Sequence, residues 1–349
     1  VNIYCALQEN RIINLIPSLD YRHVGLVQPT PGQGGFGAVF EVLDLRTKQT
    51  RAMKIELQAP DPDEVGLALE VGVLRRMQRS RHFPKFVHTG VHKKLTYLVM
   101  QICGDNLWYL VRKCRRKRFT LSTVAQLSLQ TLQAIRELHH AELLHRDIKP
   151  ENFLMGRGPA DKRLVYLLDF GLVRRYKFKG KIRPARPVAA FRGTLVYASP
   201  RVLSNQDAGR CDDLMSWLYV MIELLKSTLP WSDVDMNRKK LYEFKVSSVK
   251  DLLADAPNEF TQIHAEINRM GYADSPPYGK IRRLIKQMML NGKVNEGDPF
   301  DFEPGGSEYE AVFAKIEERR TIVKRKRVQE AERRQSKNDD ITMKSFRFQ

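Results

Sequence analysis

The segment LLHRDIKPENFLMG, residues Leu143 to Gly156, decides the fold, and LLDFG follows it with Asp169 at the end of an apolar run. Phosphoryl transfer depends on positioning: a carboxylate orients the attacking hydroxyl and accepts its proton, and oxygen ligands hold Mg²⁺. Asp147 suits the first role, whereas Asn152 and Asp169 suit the second. Lys149 could neutralise the transferring phosphoryl group. Singly, such residues more often cap helices or form turns, so the prediction rests on their order.

The earlier stretch PGQGGFGAVF, residues 31–40, contributes Gly32, Gly34 and Gly37. In a dinucleotide-binding fold such glycines close a strand and open a helix, but here AVFEVLDL continues with strand-like alternation. A glycine-rich loop between two strands suits another task, which is to cover the phosphates of a nucleotide with backbone N–H groups. Hydride transfer with a dinucleotide is therefore the weaker alternative.

A lysine on the following strand is expected beside such a loop, and RAMKIEL supplies Lys54 in an A-x-K setting that begins at Ala52. Glu70 comes sixteen residues later, within the helical pattern EVGLALEVGVLRRMQR and between apolar neighbours. A carboxylate that faces the interior needs a cation. We therefore expect Lys54 to pair with Glu70, the alternative being a solvated glutamate on an exposed helix face.

The pattern of hydrophobic residues divides the chain into two lobes. Short strand-like segments with one helix run to about residue 102, and helical periodicity dominates from about 103 to 300. We predict an α+β fold with a small β-rich lobe and a larger α-helical lobe, together spanning 21–300. An N-terminal extension over 1–20 precedes them, and a basic, charged tail over 301–349 follows.

Composition limits the classes of function. The 349 residues carry 59 Lys and Arg against 40 Asp and Glu, a formal net charge of +19, which favours anionic partners. The four cysteines lack the spacing of a zinc site or disulfide framework, and the start lacks a secretory signal, so we expect an intracellular protein, cytoplasmic with the nucleus as a second location. The apolar run 214–225 is too short to span a membrane and predicts a buried helix.

Several motifs together resemble the eukaryotic protein kinases, and in finer detail the casein kinase 1 superfamily and its tau-tubulin kinase branch. They are VMQICGDNL, HRDIKPENFLMGR, LLDFGLVRRY, FRGTLVYASPRVL and GRCDDLMSWLYVMIEL. The resemblance extends from about residue 20 to about residue 295. It implies the two-lobed protein kinase fold, ATP and Mg²⁺ as cofactors, and serine or threonine residues of proteins as substrates.

The resemblance also implies roles for individual residues. Asp147 would be the catalytic base, with Lys149 and Thr194 beside it as in serine/threonine kinases, and Asp213 would brace the backbone of this segment. The implied catalytic set is Asp147, Lys149, Asn152, Asp169, Lys54 and Thr194, of which Asn152 and Asp169 would bind the metal. The implied nucleotide-binding set is Gly32, Gly34, Gly37, Val39, Ala52, Lys54, Glu70, Met100, Gln101 and Cys103, with Met100 as gatekeeper and the backbone near Gln101 and Cys103 as hinge.

One departure concerns the usual Ala-Pro-Glu motif. This chain has Ala198, Ser199 and Pro200 there, followed by Arg201. The superfamily that the chain resembles commonly has Ser-Ile-Asn, so Pro200 and Arg201 are unusual even within it. The missing glutamate would normally form an ion pair with the large lobe, so the sequence leaves open how the substrate-side loop is anchored.

The stretch RRYKFKGKIRPARPVAAFRG, which follows LLDFGLV, is strongly basic. It predicts substrates whose serine or threonine lies near acidic or already phosphorylated residues, with Arg183, Arg186 and Arg192 as binding candidates. A merely solvated loop is the alternative. No serine or threonine occurs from Leu172 to Gly193, so we expect activity that needs no phosphorylation within this loop.

Two alternatives to an active enzyme are a catalytically silent scaffold and a nucleic-acid-binding protein. A kinase fold kept as a silent scaffold for acidic partners is disfavoured because Lys54, Asp147, Asn152 and Asp169 are all present. Nucleic-acid binding through the net charge is not favoured because the basic runs lack interleaved aromatic residues. We expect protein substrates and a monomer.

Overall fold

The computed structural model describes residues 21–28, 37–57, 66–92, 95–234, 237–318 and 321. The predicted extension over 1–20, Gly32 and Gly34, and most of the predicted tail lie outside these residues. Within them, a strand-rich lobe precedes a helix-rich lobe. This confirms the α+β, two-lobed fold expected from the sequence.

An antiparallel sheet of five strands forms the small lobe. The strands are β1 (Tyr21–Gln28), β2 (Gly37–Asp44), β3 (Thr50–Leu57), β4 (Phe86–His92) and β5 (Leu95–Gln101), in the spatial order β1-β2-β3-β5-β4. Side chains alternate along β3, so Met53 and Ile55 pack in a cluster on one face, while Ala52 belongs to the core shared with the large lobe. Lys54 therefore lies on the face of the sheet that looks towards the cleft.

Helix α1 (Gly66–Arg76) packs against this sheet. Its buried residues include Leu67, Val71 and Leu74, the three-and-four spacing that the sequence showed. Glu70 lies on the same buried face and is only 2% exposed. The helix thus carries a carboxylate into the space between the lobes.

The large lobe is built from helices joined by short strands. The helices are α2 (Leu107–Lys113), α3 (Leu121–His140), α4 (Pro200–Leu203), α5 (Arg210–Lys226), α6 (Arg238–Ser247), α7 (Val249–Leu253), α8 (Asn258–Asn268) and α9 (Tyr278–Asn291). The short strands are β6 (Leu143–Leu144), β7 (Phe153–Met155), β8 (Val165–Leu167), β9 (Arg174–Arg175), β10 (Lys177–Phe178) and β11 (Lys181–Ile182). Strand β6 pairs with β9 and β7 with β8, which places HRDIKPEN and DFG side by side.

Helix α5 is the central core helix, as the apolar run 214–225 predicted. Trp217 is fully buried, and its indole N–H donates to Thr131 Oγ1 of α3 over 2.8 Å. Trp231, just beyond the helix, is also fully buried and contacts Tyr219 edge-on. No helix among the described residues has the length and apolar character needed to cross a bilayer.

Part of the predicted tail packs on the large lobe. Asp301 is buried, and its carboxylate accepts hydrogen bonds from the backbone N–H (2.7 Å) and the hydroxyl (2.9 Å) of Thr120, which caps α3. A helical stretch over 309–318 follows, with Val312 buried and Lys315 Nζ donating to the carbonyl of Lys113. The compact unit therefore continues beyond residue 300, the end that the sequence predicted.

Candidate active site

Asp147 lies at the centre of the cleft-facing loop that follows β6. Its Oδ1 accepts a hydrogen bond from Thr194 Oγ1 over 2.7 Å, and its Oδ2 lies 2.8 Å from Lys149 Nζ. Burial alone would lower the pKa of Lys149, but the charge and hydrogen bond of Asp147, together with the charges of Asp169 and Glu151, raise that pKa overall. The ammonium is therefore held charged beside the carboxylate, and three residues of the predicted catalytic set meet at one point.

Thr194 reaches Asp147 because Gly193 allows a tight approach. Gly193 has φ of 106°, and a side chain there would collide with the carbonyl oxygen of Arg146. The glycine thus brings the loop before YAS against the HRD segment. Sequence patterns locate both segments, but their contact appears only in three dimensions.

The side chain of Asn152 is held in place by a hydrogen bond from its amide group. Its Nδ2 donates to the backbone carbonyl of Asp147 over 2.8 Å, which leaves Oδ1 as an available oxygen ligand. The backbone carbonyl of Asn152 accepts from the N–H of Leu168, the residue before Asp169. Both predicted metal-binding residues therefore lie on adjoining backbone segments.

Asp213 holds the HRD backbone in place, as the sequence predicted. Its carboxylate accepts from the backbone N–H groups of His145 (2.7 Å) and Arg146 (2.8 Å). Arg146 has φ of 66°, a left-handed conformation that costs energy for a residue with a side chain. The two hydrogen bonds that the buried carboxylate accepts offset this strain.

Nothing in the sequence indicated that His139 holds the carboxylate of Asp213 in position. His139 Nε2 lies 2.9 Å from its Oδ2, and His139 Nδ1 lies 2.5 Å from the Tyr278 hydroxyl. Burial tends to raise the pKa of Asp213, but hydrogen bonds, including that from His139, lower it overall. A histidine at a buried position of a long helix carries no sequence signal for this role.

Lys54, Glu70 and Asp169 form a second cluster, on the small-lobe side. Lys54 Nζ lies 2.7 Å from Glu70 Oε2 and 3.9 Å from Asp169 Oδ1. Burial would lower the pKa of Lys54, but the charges of Glu70, Asp169 and Glu56, with the hydrogen bond to Glu70, together raise the pKa. The structure thus brings together the lysine and the glutamate that the sequence paired.

Asp169 stands in a strained turn, with its side chain 48% exposed to the cleft. Its φ is 64°, again in the left-handed region. The neighbouring Phe170 is fully buried, stacked on Phe83 and edge-on to His145, whose Nε2–H donates to the carbonyl of Leu168. Packing behind it therefore holds this carboxylate at the cleft.

The predicted nucleotide pocket is partly described. Ala52 and Met100 are opposite each other on β3 and β5 and are both buried, and Val39 pairs with Lys54 across β2 and β3. Gly37 pairs with Glu56 at the start of β2. Gly32 and Gly34 lie outside the described residues.

The predicted hinge follows β5. Gln101 donates its backbone N–H to the carbonyl of Lys85, and its side-chain amide reaches Asp161 and Tyr166, so its side chain serves the large lobe. Cys103 is partly exposed, and burial raises the pKa of its thiol. The hinge therefore joins the sheet to the large lobe through a side chain as well as the backbone.

The three arginines predicted to bind substrate have different surroundings. Arg186 and Arg192 line a cleft together with Asp147 and Thr194. Arg192 and Arg183 are exposed. Arg186, however, forms an ion pair with buried Asp207 over 2.8 Å, a partner the sequence did not indicate.

Two acids near the same loop were also missed. The Tyr197 hydroxyl donates to Glu223 Oε2 over 2.7 Å, and Oε2 of Glu151 is buried with no hydrogen-bond partner among the residues that the structure describes. Burial is the largest cause of the raised pKa of both carboxyl groups.

The substrate-side loop is anchored without the usual glutamate. Ser199 caps α4 by accepting from the N–H of Val202, and Pro200 occupies the first helical position, where its missing N–H costs nothing. The Ser199 hydroxyl also donates to Asp212 Oδ1 over 2.6 Å. The departure at Ala198–Pro200 is therefore a helix cap tied to α5.

Lys245 of α6 supplies the rest of this anchor. It is 1% exposed, and its Nζ donates to the carbonyls of Leu195 (3.1 Å), Val196 (2.8 Å) and Ala198 (2.7 Å). Nζ also lies over the rings of Tyr219 and Trp231. Burial lowers the pKa of Lys245 to about 6.

Lys245→Met is expected to destabilise the fold by about 1–3 kcal/mol, because buried carbonyls lose their donor. Between the lowered pKa of Lys245 and its ordinary value, the unfolded chain binds more protons, so the wild-type advantage over Lys245→Met should grow from about pH 7 to about pH 9.5. Urea unfolding of both proteins at these pH values tests this. A difference that stays constant or shrinks over this range would show that the pKa is not lowered.

Comparisons with known proteins agree with this geometry. The model of the protein kinase domain family matches residues 27–291. A probable serine/threonine-protein kinase of Dictyostelium discoideum is 35% identical over 274 residues, which are 78% of this chain and 55% of that protein. The chain thus spans about half the length of this relative.

Two relatives from Caenorhabditis elegans are covered more fully. The serine/threonine-protein kinase spe-6 is 36% identical over 278 residues, 77% of this chain and 73% of that protein. A provisionally named casein kinase I is 30% identical over 308 residues, 86% of this chain and 89% of that protein. Together with the family match over most of its length, these similarities show that the chain belongs to the protein kinase family, in the class of serine/threonine protein kinases.

Proposed function

We propose that this chain transfers the γ-phosphate of MgATP to serine or threonine residues of proteins. The observation that carries the proposal is Asp147, held between Thr194 and Lys149 in the cleft. In this role Asp147 orients the substrate hydroxyl and accepts its proton as the new P–O bond forms. Lys149 and Thr194 keep the carboxylate in position, and the lysine compensates negative charge on the phosphoryl group.

The nucleotide would lie between the lobes. Lys54, oriented by Glu70, would bind phosphate oxygens, and Gly32, Gly34 and Gly37 would cover them with backbone N–H groups. Ala52, Val39 and Met100 would line the adenine pocket, and the backbone at Gln101 and Cys103 would contact the base. Asn152 Oδ1 and the Asp169 carboxylate offer the hard oxygen ligands that Mg²⁺ prefers. Bound Mg²⁺ would neutralise charge on the phosphates.

We also assign the chain to the casein kinase 1 superfamily and to its tau-tubulin kinase branch. The relative named as a casein kinase I supports the superfamily. Pro200 and Arg201 depart from the Ser-Ile-Asn that the superfamily commonly has at this position, so this motif does not contribute to the assignment. The branch rests on the sequence motifs alone.

For the substrate we propose acidic or already phosphorylated sequences around the target residue. Support comes from Arg192, which is exposed and lines the same cleft as Asp147, and from exposed Arg183 nearby in sequence. Arg186 contributes less, because Asp207 neutralises its charge. A monomer, located in the cytoplasm with the nucleus as a second compartment, completes the proposal.

Transfer of γ-phosphate to casein and to a set of serine peptides tests the function. The peptides share one length and carry acidic, phosphorylated, neutral or basic neighbours. We expect transfer by the wild type, lost in Asp169→Asn, with kcat/KM about tenfold higher for acidic or phosphorylated peptides, the size of one charge-assisted hydrogen bond.

Each negative result removes a different part of the proposal. MgATP binding without transfer to any substrate favours the silent scaffold. Equal transfer to neutral, basic and acidic peptides refutes the substrate preference and leaves the kinase activity standing. Transfer that survives in Asp169→Asn refutes the metal-binding role of that carboxylate.

A further inference from the structure

Asp207 is a buried carboxylate in the connection between α4 and α5 that the mechanism above does not use. It is 2% exposed, and its two oxygens lie 2.5 and 2.8 Å from Nη1 of Arg174. It also accepts from the backbone N–H of Arg186 over 3.0 Å and from its Nη2 over 2.8 Å. One carboxylate therefore binds two arginines from the segment that follows DFG.

A third arginine lies next to this pair. Arg146, beside the catalytic Asp147, donates its Nε–H to the carbonyl of Leu172 over 2.7 Å. Burial, followed by the charges of Arg174 and Arg186, lowers the pKa of Arg146 to about 10. The negative charges of Asp213 and then Asp207 oppose this lowering, so two carboxylates offset the repulsion among the three guanidinium groups.

The two arginines bound by Asp207 lie close in the chain or in space to the catalytic residues. Arg174 belongs to β9, which pairs with β6 directly before His145 and Arg146. Arg186 lies in the loop that continues to Thr194, and the nearby N–H of Ala189 donates to the carbonyl of Asn205, two residues before Asp207. The connection around Asp207 thus holds the segment 174–192 against the large lobe.

The segment 174–192 offers no accessible hydroxyl group that could be phosphorylated to supply a negative charge in place of Asp207. It has no serine or threonine between Leu172 and Gly193. Its hydroxyl at Tyr176 is buried and donates to the carbonyl of His139 over 2.9 Å. An anion for the arginines must therefore come from elsewhere in the fold.

We infer that Asp207 is a positioning residue, a permanent anion that binds Arg174 and Arg186 and thereby holds the segment 174–192 in the arrangement that accepts substrate. The inference rests on the proposed kinase function for its activity readout. It explains how the loop is ordered without phosphorylation, since a carboxylate supplies the charge that a phosphate would otherwise bring. Asp207 acts through the arginines and not on the substrate.

The test compares Asp207→Asn, Asp207→Glu and the double variant Asp207→Asn/Arg174→Gln with the wild type. Asp301→Asn is the matched control, because Asp301 is equally buried but lies where the tail packs on α3. Peptide kcat/KM, the KM for ATP and amide hydrogen exchange over 174–192 are measured for each. Hydrogen exchange reports on the segment even if the wild type transfers no phosphate, so failure of the proposed function is distinguishable.

We expect Asp207→Asn to lower peptide kcat/KM about ten- to hundredfold through misplacement of the segment, with the KM for ATP changed less than about threefold. Hydrogen exchange over 174–192 should accelerate. Asp207→Glu should recover most of the activity. The double variant should be more active than Asp207→Asn, because removing one arginine relieves repulsion.

Several results would overturn the inference. One is a peptide kcat/KM of Asp207→Asn within about twofold of the wild type. Another is hydrogen exchange over 174–192 in Asp207→Asn that is as slow as in the wild type. A third is a loss of kcat/KM in Asp301→Asn as large as that in Asp207→Asn. A double variant less active than Asp207→Asn would show that packing, not charge, is what Asp207 supplies. Failure of both Asp207→Asn and the double variant to bind MgADP would show a general role in folding, which also refutes a positioning role.

Discussion

Asp147→Asn is expected to lower kcat for peptide phosphorylation by about 10²- to 10⁴-fold, the range associated with loss of a general base. The substitution keeps the shape of the side chain, and the amide oxygen can still accept from the Thr194 hydroxyl. It removes the charge that pairs with Lys149 and the capacity to take a proton from the substrate. Because Lys54, Glu70 and Asp169 are untouched, binding of MgATP should remain close to wild type.

Steady-state kinetics with saturating ATP, together with calorimetric titration of MgADP, measure both quantities. Asp251→Asn is a suitable control because Asp251 is exposed on α7, where its backbone carbonyl accepts a hydrogen bond from Lys226 and is unchanged by the substitution. That control should retain activity within about twofold of the wild type. If Asp147→Asn keeps more than about a tenth of the wild-type kcat, the proton of the substrate hydroxyl goes elsewhere and the assigned role is wrong.

The sequence could predict those parts of the site where a particular combination of residues, in a particular order, is rarely found for any other purpose. Asp147, Asn152 and Asp169 occur in fixed order within two short motifs, so the segment that carries them was recognisable before their contacts were known. Glu70 was predicted through chemistry, because a carboxylate between apolar helix residues needs a cation. Their distances could not be predicted, since Gly193 and Asp213 set them from 46 and 66 residues after Asp147.

The sequence could not predict contacts whose partners have no pattern. Lys245 resembles any solvated lysine of a charged helix, and its partners are backbone carbonyls that every residue possesses. Asp207 lies in a short polar connection, 33 residues from Arg174, and nothing local marks it as buried. Arg186 was for this reason predicted as a free substrate ligand, whereas the structure places it in an ion pair.

The boundary of the compact unit illustrates the same limit. Residues beyond 300 are rich in charge, which predicts a separate tail. Yet buried Phe300 and Val312, with the carboxylate of Asp301 on the cap of α3, are enough to attach the stretch to the large lobe. A few buried apolar side chains are enough to attach such a stretch when it also forms hydrogen bonds with an exposed helix end. The average composition of the stretch does not reveal these individual contacts.

Lys54→Met is the other substitution with a large expected effect, and it should act on activity and stability separately. Loss of the ammonium that would bind phosphate oxygens should lower kcat by about 10²- to 10³-fold. Glu70 would also be left as a buried carboxylate without its cation, at a cost of about 3–5 kcal/mol in the free energy of unfolding.

The double variant Lys54→Met/Glu70→Met separates the two effects. With both charges replaced by apolar side chains of similar length, the free energy of unfolding should return to within about 1 kcal/mol of the wild type, because no buried charge remains unpaired. Activity should not return, since nothing would then bind the phosphates. Urea unfolding and transfer assays on the single and double variants provide the comparison. Recovery of both properties would mean that Lys54 serves only to neutralise Glu70, and the nucleotide would have to be held by other groups.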